Sequence, residues 1–99
     1  MSSIPAIVQS GLGAAVMRLG AAAHNIANLQ TPDQRRQVVL QEPLAQGGVA
    51  ASVVEAVQPG ADLAGDVVEQ VVASYSFKAN LRVLQTHDDM LGALLDEHA

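Results

Sequence analysis

The chain has 99 residues, a formal net charge of −5, 49% hydrophobic residues, 2% aromatic residues and no cysteine. That length makes one domain at most, and its apolar content is mostly Ala, Val and Leu, which suits close helix contacts better than a thick core. The acidic balance argues against nucleic acid, which needs a basic patch, and against a polybasic lipid-binding surface. Without cysteine there are no disulfides, thiolate metal sites or cysteine nucleophiles.

No segment reads as transmembrane. The longest uncharged stretch, Met1 to Met17, is short for a span and contains Ser, Gln, Pro and Gly. A cleaved signal peptide is a poor fit, because nothing basic precedes Arg18 and because Gly11 and Gly13 break the apolar run.

The first predicted element is a helix over residues 5–29. Pro5 suits a first turn, and Ser2 or Ser3 is placed to cap it. Val8, Leu12, Ala15, Leu19, Ala22, Ile26 and Leu29 follow at alternating steps of four and three, a heptad seam. Gly11, Gly13, Ala14, Gly20 and Ala21 occupy the remaining face. Each glycine weakens the isolated helix by about 1 kcal/mol relative to Ala, while small residues allow another backbone to come close. Asn28 suits a left-handed C-terminal position, and Thr31-Pro32 stops the helix.

A β-hairpin is predicted over residues 35–57. Arg35 to Glu42 reads as one strand, Pro43 ends it, Gln46-Gly47-Gly48 turns, and Val49 to Val57 reads as the second. Such a hairpin is marginal alone and needs cover on one face. Pro59-Gly60 breaks the chain again.

The last element is a helix over residues 65–96, with Asp62 or Asp66 as cap and Glu69 favourable near the positive end of the dipole. One apolar stripe is Val68, Val72, Tyr75, Ala79, Val83, Thr86, Met90 and Leu94. Another is Phe77, Leu81, Leu84, Asp88, Leu91 and Leu95. The apolar surface is wider than a two-helix seam requires. The fold expected is therefore mainly α and a single domain: two long antiparallel helices in a coiled-coil-like hairpin, joined by a small β-hairpin segment.

Candidate chemistry is sparse. His24, His87 and His98 are too scattered for a short metal-ligand motif. Asp88-Asp89 and Asp96-Glu97 read as a solvated helix face rather than as paired catalytic carboxylates. The serines lack a nucleophile-elbow context, and Gly11 and Gly13 have neither the strand before nor the Lys after that a phosphate loop needs. No enzymatic activity, cofactor, metal or small-molecule substrate is expected. Self-association is expected instead. The residues expected at helix packing or assembly contacts are Leu12, Ala15, Leu19, Ala22, Asn25, Ile26 and Asn28 in the first helix. Their counterparts in the second are Tyr75, Phe77, Asn80, Leu84, Met90, Leu91 and Leu94. For Asn25, Asn28 and Asn80 two readings stand: bridges at a subunit contact, or a C-cap for Asn28 and solvated faces for the others. The Leu12–Leu29 seam likewise reads as an intrachain core or as a subunit interface. The cluster Met90, Leu91, Leu94 and Leu95 is expected to dock against the start of the first helix or against a neighbour.

The two ends resemble the axial proteins of the bacterial flagellum, the rod, hook and related basal-body proteins. The N-terminal likeness rests on Ser10-Gly11-Leu12 through Leu19, then Ala23-His24-Asn25-Ile26-Ala27-Asn28 and Thr31-Pro32. The C-terminal likeness rests on Phe77-Lys78-Ala79-Asn80, then Val83-Leu84-Gln85-Thr86, Asp88 and Met90-Leu91. Arg35-Arg36-Gln37-Val38-Val39-Leu40 followed by Gly47-Gly48-Val49 looks most like the proximal rod proteins. The chain departs from the family's usual Gly-Tyr after the Thr-containing turn, where it has Asp33-Gln34, and from its Glu-Met, where it has Asp66-Val67. It also has a shorter middle. It thus looks like a short, divergent member. The resemblance implies a structural motility protein of the basal-body rod, exported by the flagellar type III apparatus without a cleaved signal. Its partners would be other axial proteins and the export apparatus. The other reading is a small intracellular helical oligomer, a cytoplasmic scaffold or regulator.

Overall fold

A computed structural model describes residues 3–98. It is mainly helical, with α1 at Ile4–Ala27, β1 at Gln37–Pro43, β2 at Val49–Glu55 and α2 at Leu63–His98. Ser3 is the N-cap of α1. Its hydroxyl accepts from Ala6 N–H, and Pro5 sits in the first turn. The end of α1 differs from expectation: it stops at Ala27, and Asn28 has φ −103°, outside the left-handed region. Asn28 closes the helix differently. Its backbone N–H and its side-chain Nδ2 both donate to His24 O, the latter at 2.9 Å. The side-chain amide adds a second donor to a carbonyl that the backbone N–H already reaches, which fixes the helix end without a left-handed residue there. The left-handed residue lies further on, at Asp33 with φ 57°.

β1 and β2 pair antiparallel, from Gln37 opposite Glu55 to Pro43 opposite Val49. The strands are shorter than the sequence suggests at their outer ends. Arg35 is drawn into a different role, its guanidinium donating to Val57 O at 2.6 Å and Ala56 O at 3.4 Å. The turn needs its glycines twice over. Gly47 and Gly48 have φ of 96° and 85°, which disfavours any side chain. A Cβ on Gly47 would also meet Ile7 Cδ1 at 2.8 Å, and one on Gly48 would meet Ser10 Oγ at 2.7 Å. The turn is thus pressed onto the first turns of α1, where Ser10 Oγ accepts from Val49 N–H at 3.1 Å and donates to Ile7 O at 2.7 Å.

At the start of α2, Asp62 Oδ1 accepts from Gly65 N–H at 3.0 Å, a capping bond that leaves Asp66 available for another purpose. The helices run antiparallel, since Asn25 meets Asp66 while Gly11 meets Asn80. α1 is the central element. It packs against α2 and against both strands, whereas the Cα trace of α2 approaches neither strand. The molecule is consequently long and thin, 63 × 25 × 13 Å. Its radius of gyration is 17.3 Å, against about 13 Å for a compact chain of 100 residues.

The buried apolar core is small: Val8, Ala14, Ala15, Ala21, Ala22 and Ala73. Val8, Ala15 and Ala22 are the seventh-residue members of the expected seam. Leu12, Leu19, Ile26 and Leu29 are only half-buried. By length and composition α1 also passes for a membrane-spanning helix, with a mean hydropathy of 1.3 over its best window. The sequence reading did not find this, because it ended the uncharged stretch at Arg18. Two polar side chains of α1, Arg18 and Asn25, are engaged with α2 and β1.

Candidate assembly surface

The interior side of α2 carries a buried carboxylate. Asp66, only 2% exposed, faces Asn25, itself 4% exposed. Asn25 Nδ2 donates to Asp66 Oδ1 at 3.2 Å. The same amide grips β1: Oδ1 accepts from Gln37 N–H at 2.7 Å, and Nδ2 donates to Gln37 O at 2.9 Å. The register explains why. Ala56 N–H donates to Arg36 O at 2.8 Å, so Gln37 sits in a non-hydrogen-bonded pair with Glu55 and its backbone groups point away from β2. Asn25 takes the place of a third strand there.

Arg36 completes the node. Its Nε donates to Asp66 Oδ2 at 3.2 Å, and its terminal nitrogen pairs with Asp66 Oδ1. The hydrogen bond to Asp66 raises the Arg36 pKa above its ordinary value, with partial burial opposing and the negative charges of Asp66 and Asp62 assisting. One buried carboxylate therefore ties α2 to α1 and to the entry of β1. A second ion pair, Arg18 with Glu69, joins the helices further along. The cleft between these groups is about 100 Å³ and is lined by Arg18, Ala21, Asn25, Gln37, Asp66 and Glu69. Small-molecule pockets usually run to ~300–1,000 Å³. Among the described residues no three His, Asp or Glu side chains converge as metal ligands.

Gly11 and Asn80 form the opposite end of the contact. A Cβ on Gly11 would sit 2.7 Å from Asn80 Oδ1, and Asn80 Nδ2 is already held by Ser76 O at 2.9 Å. Gly11 is the glycine that close helix approach requires. Gly13 and Gly20 face open space.

The outward side of α2 is the apolar one. Val68, Val72, Tyr75, Val83, Met90 and Leu94 are all exposed, Tyr75 to 67% and Met90 to 63%. Val67 and Val71 widen the patch. Of the two apolar lines read from the sequence, the Val68–Leu94 line thus lies largely outside the contact with α1, and the line facing α1 runs through Asp66, Ala73, Phe77, Asn80 and Leu84. Beyond Leu84 that inner line continues through Leu91 and Leu95, but α1 has ended. Its first residue, Ile4, borders a groove with Arg82, Val83, Thr86, His87 and Met90. Leu91 and Leu95 remain 47% and 72% exposed. Of the expected C-terminal docking, only Met90 reaches the start of α1.

Of the residues expected at packing or assembly contacts, Ala15, Ala22 and Asn25 are buried inside the chain. Leu12, Leu19, Ile26, Asn28, Phe77, Asn80 and Leu84 are half-buried, and Tyr75, Met90, Leu91 and Leu94 are exposed. The reading of Asn25 as a solvated residue does not hold, because its amide is wholly engaged inside the chain. Asn28 is the C-cap. Sequence reasoning missed Asp66, Arg36 and Gln37 as partners of Asn25. The available signal was an acidic residue on the same helical line as Ala73 and Asn80, seven residues apart each time. The chain matches no protein-family model and no curated protein.

Proposed function

We propose that this protein is a structural subunit that assembles through its N- and C-terminal helices, in the manner of flagellar rod and axial proteins, and that its activity is binding rather than chemistry. The observation that carries the reading is the outward face of α2, a mainly apolar stripe from Val68 to Leu94 that its own chain leaves largely exposed. Single exposed hydrophobics are ordinary, but a contiguous patch of this length marks an interaction surface. Coiled-coil packing belongs to the same proposal: the heptad lines of α1 and α2 extend past the contacts the chain makes with itself.

The association part is tested by light scattering on the full chain across a concentration series. The expected result is a mass that rises above one chain as concentration increases. A mass of one chain at every concentration rejects the proposal. The axial part is tested by export: the chain, expressed in a flagellated bacterium, is expected in the medium or basal body only while the flagellar export apparatus works. Export that continues without that apparatus removes the flagellar reading, and an associating chain that stays in the cell whether or not the apparatus works is the intracellular scaffold.

A further inference from the structure

We propose that a second copy of this chain docks on the outward face of α2, antiparallel, about a two-fold axis level with Leu84 and Gln85. The inference rests on the self-association proposed above and adds the partner, the direction and the register.

The argument is one of charge order. Beside the apolar stripe, on one flank of α2, lie Lys78, Arg82, Gln85, Asp89 and Asp96, separated by four, three, four and seven residues. All five are exposed. The two basic residues come first and the two acidic residues last. Among the described residues the ion pairs are Arg18 with Glu69 and Arg36 with Asp66, so none of these four charges is neutralised by a salt bridge. Lys78 and Arg82 are four apart, a spacing at which like charges destabilise an isolated helix.

In an antiparallel pair each flank meets the same flank of its partner with the order reversed. With the axis level with Leu84 and Gln85, Asp89 of the other copy comes level with Asn80, between Lys78 and Arg82, twice by symmetry. In a parallel pair this flank would lie against the other flank of the partner, and its basic and acidic groups would not meet. The apolar stripe has the same reversed symmetry. With the axis level with Leu84 and Gln85, Tyr75 opposes Leu94, Ala79 opposes Met90 and Val83 opposes Thr86, so the largest gap, at Ala79, is met by Met90. An isologous contact of this kind closes on itself. It gives a discrete dimer of the free chain.

Cysteine scanning tests the register, because the chain has no cysteine of its own. Chains carrying Ala79→Cys and Met90→Cys are mixed in equal amounts and oxidised. A mixed disulfide is expected, with little linkage of Ala79→Cys to itself. Self-linkage of Ala79→Cys in a chain that does associate overturns the antiparallel register and leaves self-association standing. A parent chain that stays monomeric at every concentration overturns both. A charge exchange gives the second test. The double variant Lys78→Glu with Arg82→Glu has an all-acidic flank, and Asp89→Lys with Asp96→Lys has an all-basic one. Each alone is expected to have the mass of one chain with helical circular dichroism retained, and their equimolar mixture the mass of two. Association of each variant alone as tightly as the parent overturns the proposal.

Discussion

Asn25 shows how much one side chain carries in a molecule this thin. Its amide makes three hydrogen bonds, two to Gln37 and one to Asp66, and no large side chain stands behind it. Asn25→Ala strands the Gln37 backbone groups and takes a donor from a buried carboxylate. Each such loss costs roughly 1–3 kcal/mol, so the variant should be less stable by about 2–4 kcal/mol in urea unfolding. Asp66→Ala removes the common partner of Arg36 and Asn25, but Arg36 remains partly open to water. A loss of about 1–3 kcal/mol is expected. Because the folded-state pKa of Arg36 is raised, its contribution is fully present below its ordinary value. It is lost only as pH rises through the still higher folded value, so this pair should not weaken between neutral and moderately alkaline pH. The glycines of α1 divide by the same logic of contact. Gly20→Ala meets nothing and should stabilise by about 0.5–1 kcal/mol. Gly11→Ala forces Asn80 aside and should be the less stable of the two by at least about 1 kcal/mol, measured by thermal melts of both variants.

At the scale of elements, the last two turns of α2 are the instructive case. Leu91, Leu94 and Leu95 are exposed, and α1 ends before it can cover them. A chain ending at Met90 should keep the α1 contacts and the hairpin, losing helicity only in proportion to the turns removed. It should lose association, because Tyr75 of the other copy then loses its counterpart Leu94, and the apolar seam is shortened at both ends. Circular dichroism and light scattering on that truncation check both halves of the expectation. Collapse of the whole fold would mean that the tail supports the single chain. The hairpin depends on α1 in a comparable way, since Ile7 and Ser10 hold its turn and Asn25 holds its entry. Two strands alone are marginal in water.

The whole molecule is long and thin, with a core built mainly from alanines. A chain so built has little apolar burial of its own, and each buried Leu or Met at a contact is worth ~1.5–3 kcal/mol. Association and folding should therefore be linked, and the thermal midpoint should rise with protein concentration. Midpoints measured over a hundredfold range decide this. A midpoint independent of concentration would mark a self-sufficient monomer. Salt should weaken the association, because the flank charges are exposed and are screened within ~8–10 Å at physiological ionic strength.

The sequence by itself determined the elements. Heptad spacing, Ser3 and Pro5, the Gly47-Gly48 turn, Pro59-Gly60 and Asp62 placed two helices and a hairpin close to where they lie, because these signals act within a few residues of each other. It also showed that α2 has more apolar surface than one partner helix can cover. Only the tertiary structure decided which face α2 presents to α1. Periodicity offered two adjoining apolar lines on α2 and chose between them in neither direction, and the buried carboxylate of Asp66 turned the Val68–Leu94 line outward. A charge buried beside a strand entry has to be paired and hydrogen-bonded, and Arg36 and Asn25 come together to do this only when the polar line of α2 faces inward. Periodicity records that a stripe is apolar but not what it meets, and it is silent on a pairing whose partners lie 30 and 41 residues away.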